Sequence, residues 1–118
     1  MKPLEVRKYL FDILQACELL VRFTEGKTLA EYLQDPMMRS AVERQFEIVG
    51  EALAGALRID PSVASAVSDA HRVVAFRNRL IHGYAFVSDE VVWGVLENNL
   101  STLRHEVATL LGTPGQDE

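Results

Sequence analysis

The sequence predicts an all-α fold, on two observations. Apolar residues recur in steps of three and four through almost the whole chain, the period of an amphipathic helix. No segment shows sustained period-two alternation between hairpin turns, and the β-branched pairs Val73-Val74 and Val91-Val92 lie inside helical patterns. Short links between long helices favour antiparallel neighbours, so the expected architecture is an up-and-down bundle of four main helices joined by short connecting helices.

The first helix is expected over residues 4–24. Val6, Tyr9, Leu10, Ile13, Leu14, Cys17, Leu20 and Val21 form one apolar stripe, and Gly26 ends it. Thr28 with Glu31 has the spacing of a capping box, which predicts a short helix to Gln34. Asp35-Pro36 supplies an N-cap acceptor and a first-turn proline. A long helix follows over 36–57, with Met38, Val42, Phe46, Val49, Leu53 and Leu57 on one side. Gly50 and Gly55 inside it cost about 1 kcal/mol each relative to alanine, so they read as points of close helix approach. Asp60-Pro61 repeats the start signal for a short helix to about Ser68. A medium helix runs from Asp69 or Ala70 to His82, with Gly83 as its C′ residue. Ser88 and Asp89 open the last helix, lined by Val92, Leu96, Leu100, Leu103, Val107 and Leu110. Residues 1–111 form a single domain, and 112–118, with Pro114 and Gly115, form a frayed tail.

Composition narrows the functional classes. The chain has 118 residues, 48% hydrophobic and 25% charged, the balance of an ordinary globular domain. Its 12 Lys and Arg against 17 Asp and Glu give −5, which argues against coating nucleic acid by bulk charge while permitting a local basic site. No apolar run approaches the roughly 18–20 residues that span a bilayer. The start, Met1-Lys2-Pro3-Leu4-Glu5, lacks a signal-peptide pattern, so the cytoplasm is the expected compartment and no membrane partner is expected. A single cysteine, Cys17, excludes an intrachain disulfide.

The stretch that carries chemistry is Arg77-Asn78-Arg79-Leu80-Ile81-His82-Gly83-Tyr84. In a helix Asn78 and His82 lie about 40° apart and one turn on, so their side chains are neighbours. Arg77 and His82 are about 140° apart and meet only around a shared ligand. Arginine presents a planar fork of donors that stays charged and holds phosphate oxygens. Histidine moves protons near neutrality without a metal. By residue types alone, the commoner reading is a helix C-terminus, where His and Arg complement the dipole for about 0.3–1 kcal/mol and glycine caps the end.

Arg77-x4-His82-x-Tyr84 matches the R-x4-H-x-Y motif, and with it the sequence resembles the HepT-like toxins of the HEPN superfamily. The stretch Arg39 to Ala52 resembles that family's long third helix, and the acidic-aromatic segment Asp89 to Trp93 is also similar, so the likeness covers residues 5–111. The resemblance implies a HEPN-like bundle that forms a homodimer. It implies a metal-independent ribonuclease site, free of cofactors, where two motif helices face each other. Arg77 and His82 would be the catalytic pair, and Asn78 the polar position just after the arginine. Apart from the resemblance, Arg72, Arg77 and Arg79 lie close together in the sequence, and a dimer would double them to six arginines near one cleft, so Asn78, Arg79 and Arg72 are expected to support RNA in a local positive field. Tyr84 would be the tyrosine that an MNT-type minimal nucleotidyltransferase antitoxin modifies with AMP to silence the toxin. The competing reading is a non-catalytic nucleotide-binding or substrate-presenting subunit of such a nucleotidyltransferase.

Other candidates are expected to be structural. His71 and His105 read as surface residues, and the three histidines share no ligand spacing, so no metal site is expected. Cys17 reads as buried filler, Met37 and Met38 as packing residues, and Asp89 and Glu90 as first-turn acids. Trp93 is assigned to the core or to an interface.

Overall fold

The computed structural model describes residues 3–82 and 87–112, and these form an all-α bundle of seven helices. They are α1 (Leu4–Thr24), α2 (Leu29–Gln34), α3 (Pro36–Ile59), α4 (Val63–Ala66), α5 (Ala70–His82), α6 (Asp89–Asn98) and α7 (Leu100–Leu111). None of the helices is long and apolar enough among the described residues to cross a membrane.

Local chemistry places the starts. Thr28 accepts from the Glu31 N–H at 3.1 Å, while the Glu31 carboxylate accepts from the Thr28 N–H at 2.8 Å, which completes the capping box. Asp35 accepts from the Met38 N–H at 3.0 Å, with Pro36 in the first turn. Ser88 does the same for Val91 at 3.2 Å. The stops are equally local, since Gly26 and Gly112 both take positive φ, 75° and 68°. Asp60 behaves differently from expectation. Its carboxylate bonds to Ser62, at 3.1 Å to the N–H and 2.6 Å to the hydroxyl, and α4 begins only at Val63.

Helix α3 is the centre of the bundle. It packs against α1 on one side and α5 on the other, and α1 also packs against α7. Val6, Leu10, Ile13, Cys17 and Leu20 from α1 meet Val42, Val49, Leu53 and Ala56 from α3 in a core that excludes solvent. The long apolar period after Ser88 is two helices, not one. The break is at Asn99, with φ −123° and ψ −27°, following Asn98. Asparagine side chains compete for backbone hydrogen bonds and weaken helix interiors. The break lets α6 reach α2 while α7 lies along α1, two partners that one straight helix does not serve. Met37 is a second departure: it is 82% exposed, and Met38 alone packs inward. Trp93 belongs to the core, 5.2 Å from the ring of Tyr32 and tilted by 42°.

Candidate active site

The site is built on α5, which α3 carries at very short range. A Cβ placed on Gly50 would lie 2.1 Å from the Cβ of Arg77, 2.7 Å from its Cγ and 3.4 Å from the carbonyl oxygen of Val73. Gly50 is therefore the point of closest approach, and the stem of Arg77 lies directly over the α3 backbone. That contact leaves the Arg77 side chain 27% exposed.

Each nitrogen of the guanidinium has a distinct environment. Nη1 donates to Asn78 Oδ1 at 2.8 Å. Nη2 faces the Glu51 carboxylate at 3.8 Å, an ion pair longer than a hydrogen bond. Nε is buried without a hydrogen-bond partner. The group is held from two sides and still has donors to offer. Asn78 and His82 are exposed on the outer face of α5, one turn apart, and His82 lies in its last turn. The structure thus brings Arg77 and Asn78 into direct contact and sets His82 beside Asn78 through helix geometry. Tyr84 and Gly83 lie outside the described residues.

Arg72 and Arg79 are on the other side of α5, about 140° and 160° around the helix from Arg77. They line an open groove of about 520 Å³ between α5 and the α6–α7 arm, where Phe46, Phe76, Asn98 and Asn99 also contribute. Phe46 and Phe76 meet edge to face there at 5.4 Å. Arg72 approaches Asp69 at 4.0 Å. The two arginines thus line a groove on a different side of α5 from Arg77, and the three do not converge within one chain.

Two neighbouring elements tether this region. Ser68, just before α5, donates through its N–H and hydroxyl to Glu106 of α7 at 2.9 and 2.7 Å. Asp89, at the start of α6, pairs with Arg39 of α3 at 3.6 Å. The segment that carries the motif is therefore fastened to the bundle on both sides. Glu51 is the site residue that sequence reading missed. Its only signal is its place next to Gly50, and nothing in the linear order pairs it with Arg77.

The remaining candidates play structural parts. His71 and His105 are exposed. Cys17 is buried, and burial, reinforced by Glu18, pushes its thiol up to about 12. The thiolate is the reactive form, so Cys17 is expected to resist a thiol-selective reagent at pH 8 in the folded chain and to react fully once the chain is denatured. Labelling in the native state at the rate of a free thiol would contradict that.

A family model described as ribonuclease HepT-like matches residues 13–110. The chain belongs to the HepT-like family. This HepT-like chain is 30% identical over 105 residues to a protein of Caldanaerobacter subterraneus subsp. tengcongensis named as a candidate RNase, covering 89% of the chain and 93% of that relative. It is 29% identical over 119 residues to a candidate RNase of Methanocaldococcus jannaschii, covering 97% and 94%. It is also 29% identical over 102 residues to a protein named "Probable ribonuclease HepT" from Thermococcus cleftensis, covering 83% and 88%. No solved structure matches it at a significant level. The all-α bundle is the one that membership of the HepT-like family leads one to expect.

Proposed function

We propose that this HepT-like chain is a metal-independent ribonuclease, the toxin of a toxin–antitoxin pair, acting as a homodimer whose motif helices face each other. The observation that carries the reading is the Arg77 guanidinium, anchored at Nη1 by Asn78 at 2.8 Å, with Asn78 itself one helical turn before the exposed His82. The names of the relatives support the substrate class.

The chemistry uses RNA's own 2′-hydroxyl. Its oxygen attacks the adjacent phosphorus, the bond to the 5′-oxygen breaks, and the products are a 2′,3′-cyclic phosphate and a free 5′-hydroxyl. Arg77 stabilises the charge that builds on the phosphorane oxygens, as preorganised donors do. His82 takes the 2′-proton or gives one to the leaving 5′-oxygen, and two copies across a two-fold divide those roles. Tyr84 is the site at which a minimal nucleotidyltransferase partner attaches AMP from ATP, releasing pyrophosphate. The added anion fills the phosphate subsite and repels RNA.

Two measurements test this. Purified protein is expected to cut RNA with chelator in excess, and loss of cutting on chelation would remove metal independence. Co-expression with a minimal nucleotidyltransferase, followed by intact mass and peptide mapping, is expected to place AMP on Tyr84. Uncut RNA together with nucleotide binding that Arg77→Ala abolishes would favour the nucleotide-binding subunit instead.

A further inference from the structure

We propose that Glu51 is a positioning residue for Arg77, holding the guanidinium in the orientation in which it meets a phosphate; this rests on the ribonuclease reading above. Three observations converge on it. Gly50 removes the side chain that would separate α3 from the Arg77 stem, so the arginine leaves α5 pressed against α3. Glu51, the next residue, then stands at the far end of that stem, with its carboxylate 3.8 Å from Nη2. Asn78 takes the opposite Nη1 at 2.8 Å. A planar group hydrogen-bonded at one terminal nitrogen and faced by a carboxylate at the other has less freedom to swing about the Cγ–Cδ and Cδ–Nε bonds, and that order is in place before substrate arrives.

The geometry also explains why an acidic residue beside the arginine does not block an anion. At 3.8 Å the carboxylate orients Nη2 without accepting a full hydrogen bond from it. The Glu51 side chain is 64% exposed, so solvent screens its charge. A bidentate, buried carboxylate would consume the fork instead. Glu47, one turn earlier on the same helix, is engaged by Arg44 at 3.3 Å and does not substitute for it.

The test compares Glu51→Gln and Glu51→Asp with the wild-type chain, and Arg77→Ala with the Glu51→Gln/Arg77→Ala double variant, on a single-stranded RNA. Glu51→Gln is expected to lower kcat about tenfold, less than the roughly hundredfold that a full 1 Å misplacement can cost, because Asn78 still holds Nη1. KM should stay level or fall, because a negative charge near the phosphate is gone. Glu51→Asp, which keeps the charge on a shorter arm, is expected to recover part of the loss. Because Glu51 is 64% exposed, the melting temperature should move by no more than a few degrees. In the Arg77→Ala background the second change is expected to do nothing. Nitrogen-15 spectra of the Arg77 Nη groups give a readout independent of activity: resolved, slowly exchanging signals in the wild type, collapsing in Glu51→Gln.

Unchanged kcat in Glu51→Gln, an equal loss with and without Arg77, or Nη signals averaged in the wild type would each overturn the positioning role while leaving Arg77 and His82 as the cutting pair. Cutting by the wild type that Arg77→Ala does not reduce would overturn the ribonuclease assignment of Arg77, and the positioning role with it.

Discussion

His82→Ala is expected to fold normally and to lose RNA cutting by about 10²–10⁴-fold, the contribution of a positioned general acid or base. His82 is exposed in the last turn of α5, so its removal opens no cavity in the core. The stability cost should be small, that of an exposed polar side chain, of which its favourable interaction with the helix terminus is about 0.3–1 kcal/mol. The two readings of this helix end therefore separate cleanly. A residue that only complements the dipole loses a little stability and no activity, whereas a catalytic one loses activity out of proportion to stability. Single-turnover cutting of RNA beside a thermal melt measures both. Cutting at the wild-type rate would remove His82 from the mechanism. Arg77→Lys is expected to fail alongside it, because one ammonium cannot span Asn78 and Glu51 as the guanidinium does.

Gly50→Ala is expected to destabilise the chain and to displace Arg77, although alanine is the better helix former. Alanine gains about 1 kcal/mol in helix propensity. Against that stands a new Cβ 2.1 Å from the Cβ of Arg77, a clash that no rotation of the arginine side chain relieves, because that Cβ is fixed to the α5 backbone. Overpacking of this kind costs about 1–3 kcal/mol, so the clash outweighs the propensity. The melting temperature should fall by several degrees, at roughly 3–5 °C per kcal/mol for a domain of this size. Cutting should fall as well, since α5 must slide away from α3. Gly94→Ala supplies the contrast. Its nearest neighbour would be the Asn98 amide at 4.0 Å, so only the propensity gain remains and the melt should rise. A Gly50→Ala chain as stable and as active as the wild type would mean that α5 does not sit where the structure puts it.

Most of the secondary structure was legible in the sequence because its signals are local. The capping box at Thr28 and Glu31, the Asp35-Pro36 start and the Gly26 stop each act within four residues of themselves. The apolar stripe of α1 marks the buried face because burial repeats with the helix turn. For the same reason local signals predict a single long helix after Ser88, where the structure has α6 and α7. Its apolar spacing continues smoothly through Asn99, and the break answers to two different packing partners, α2 and α1, that no local pattern names. Met37 departs similarly, since apolar character alone does not say which side of a helix start meets the core.

Residue order by itself determined the helices, their caps, the buried stripes and the placing of Asn78 beside His82, because these depend on chemistry within one or two turns. It also identified Gly50 as a point of close approach from the cost of glycine in a helix interior. Only the tertiary structure decided what approaches there, that Glu51 faces the guanidinium, and that Arg72 and Arg79 turn to a different groove. Those facts depend on how α5 is rotated and seated on α3, and that docking is a property of two surfaces meeting, written in neither helix alone.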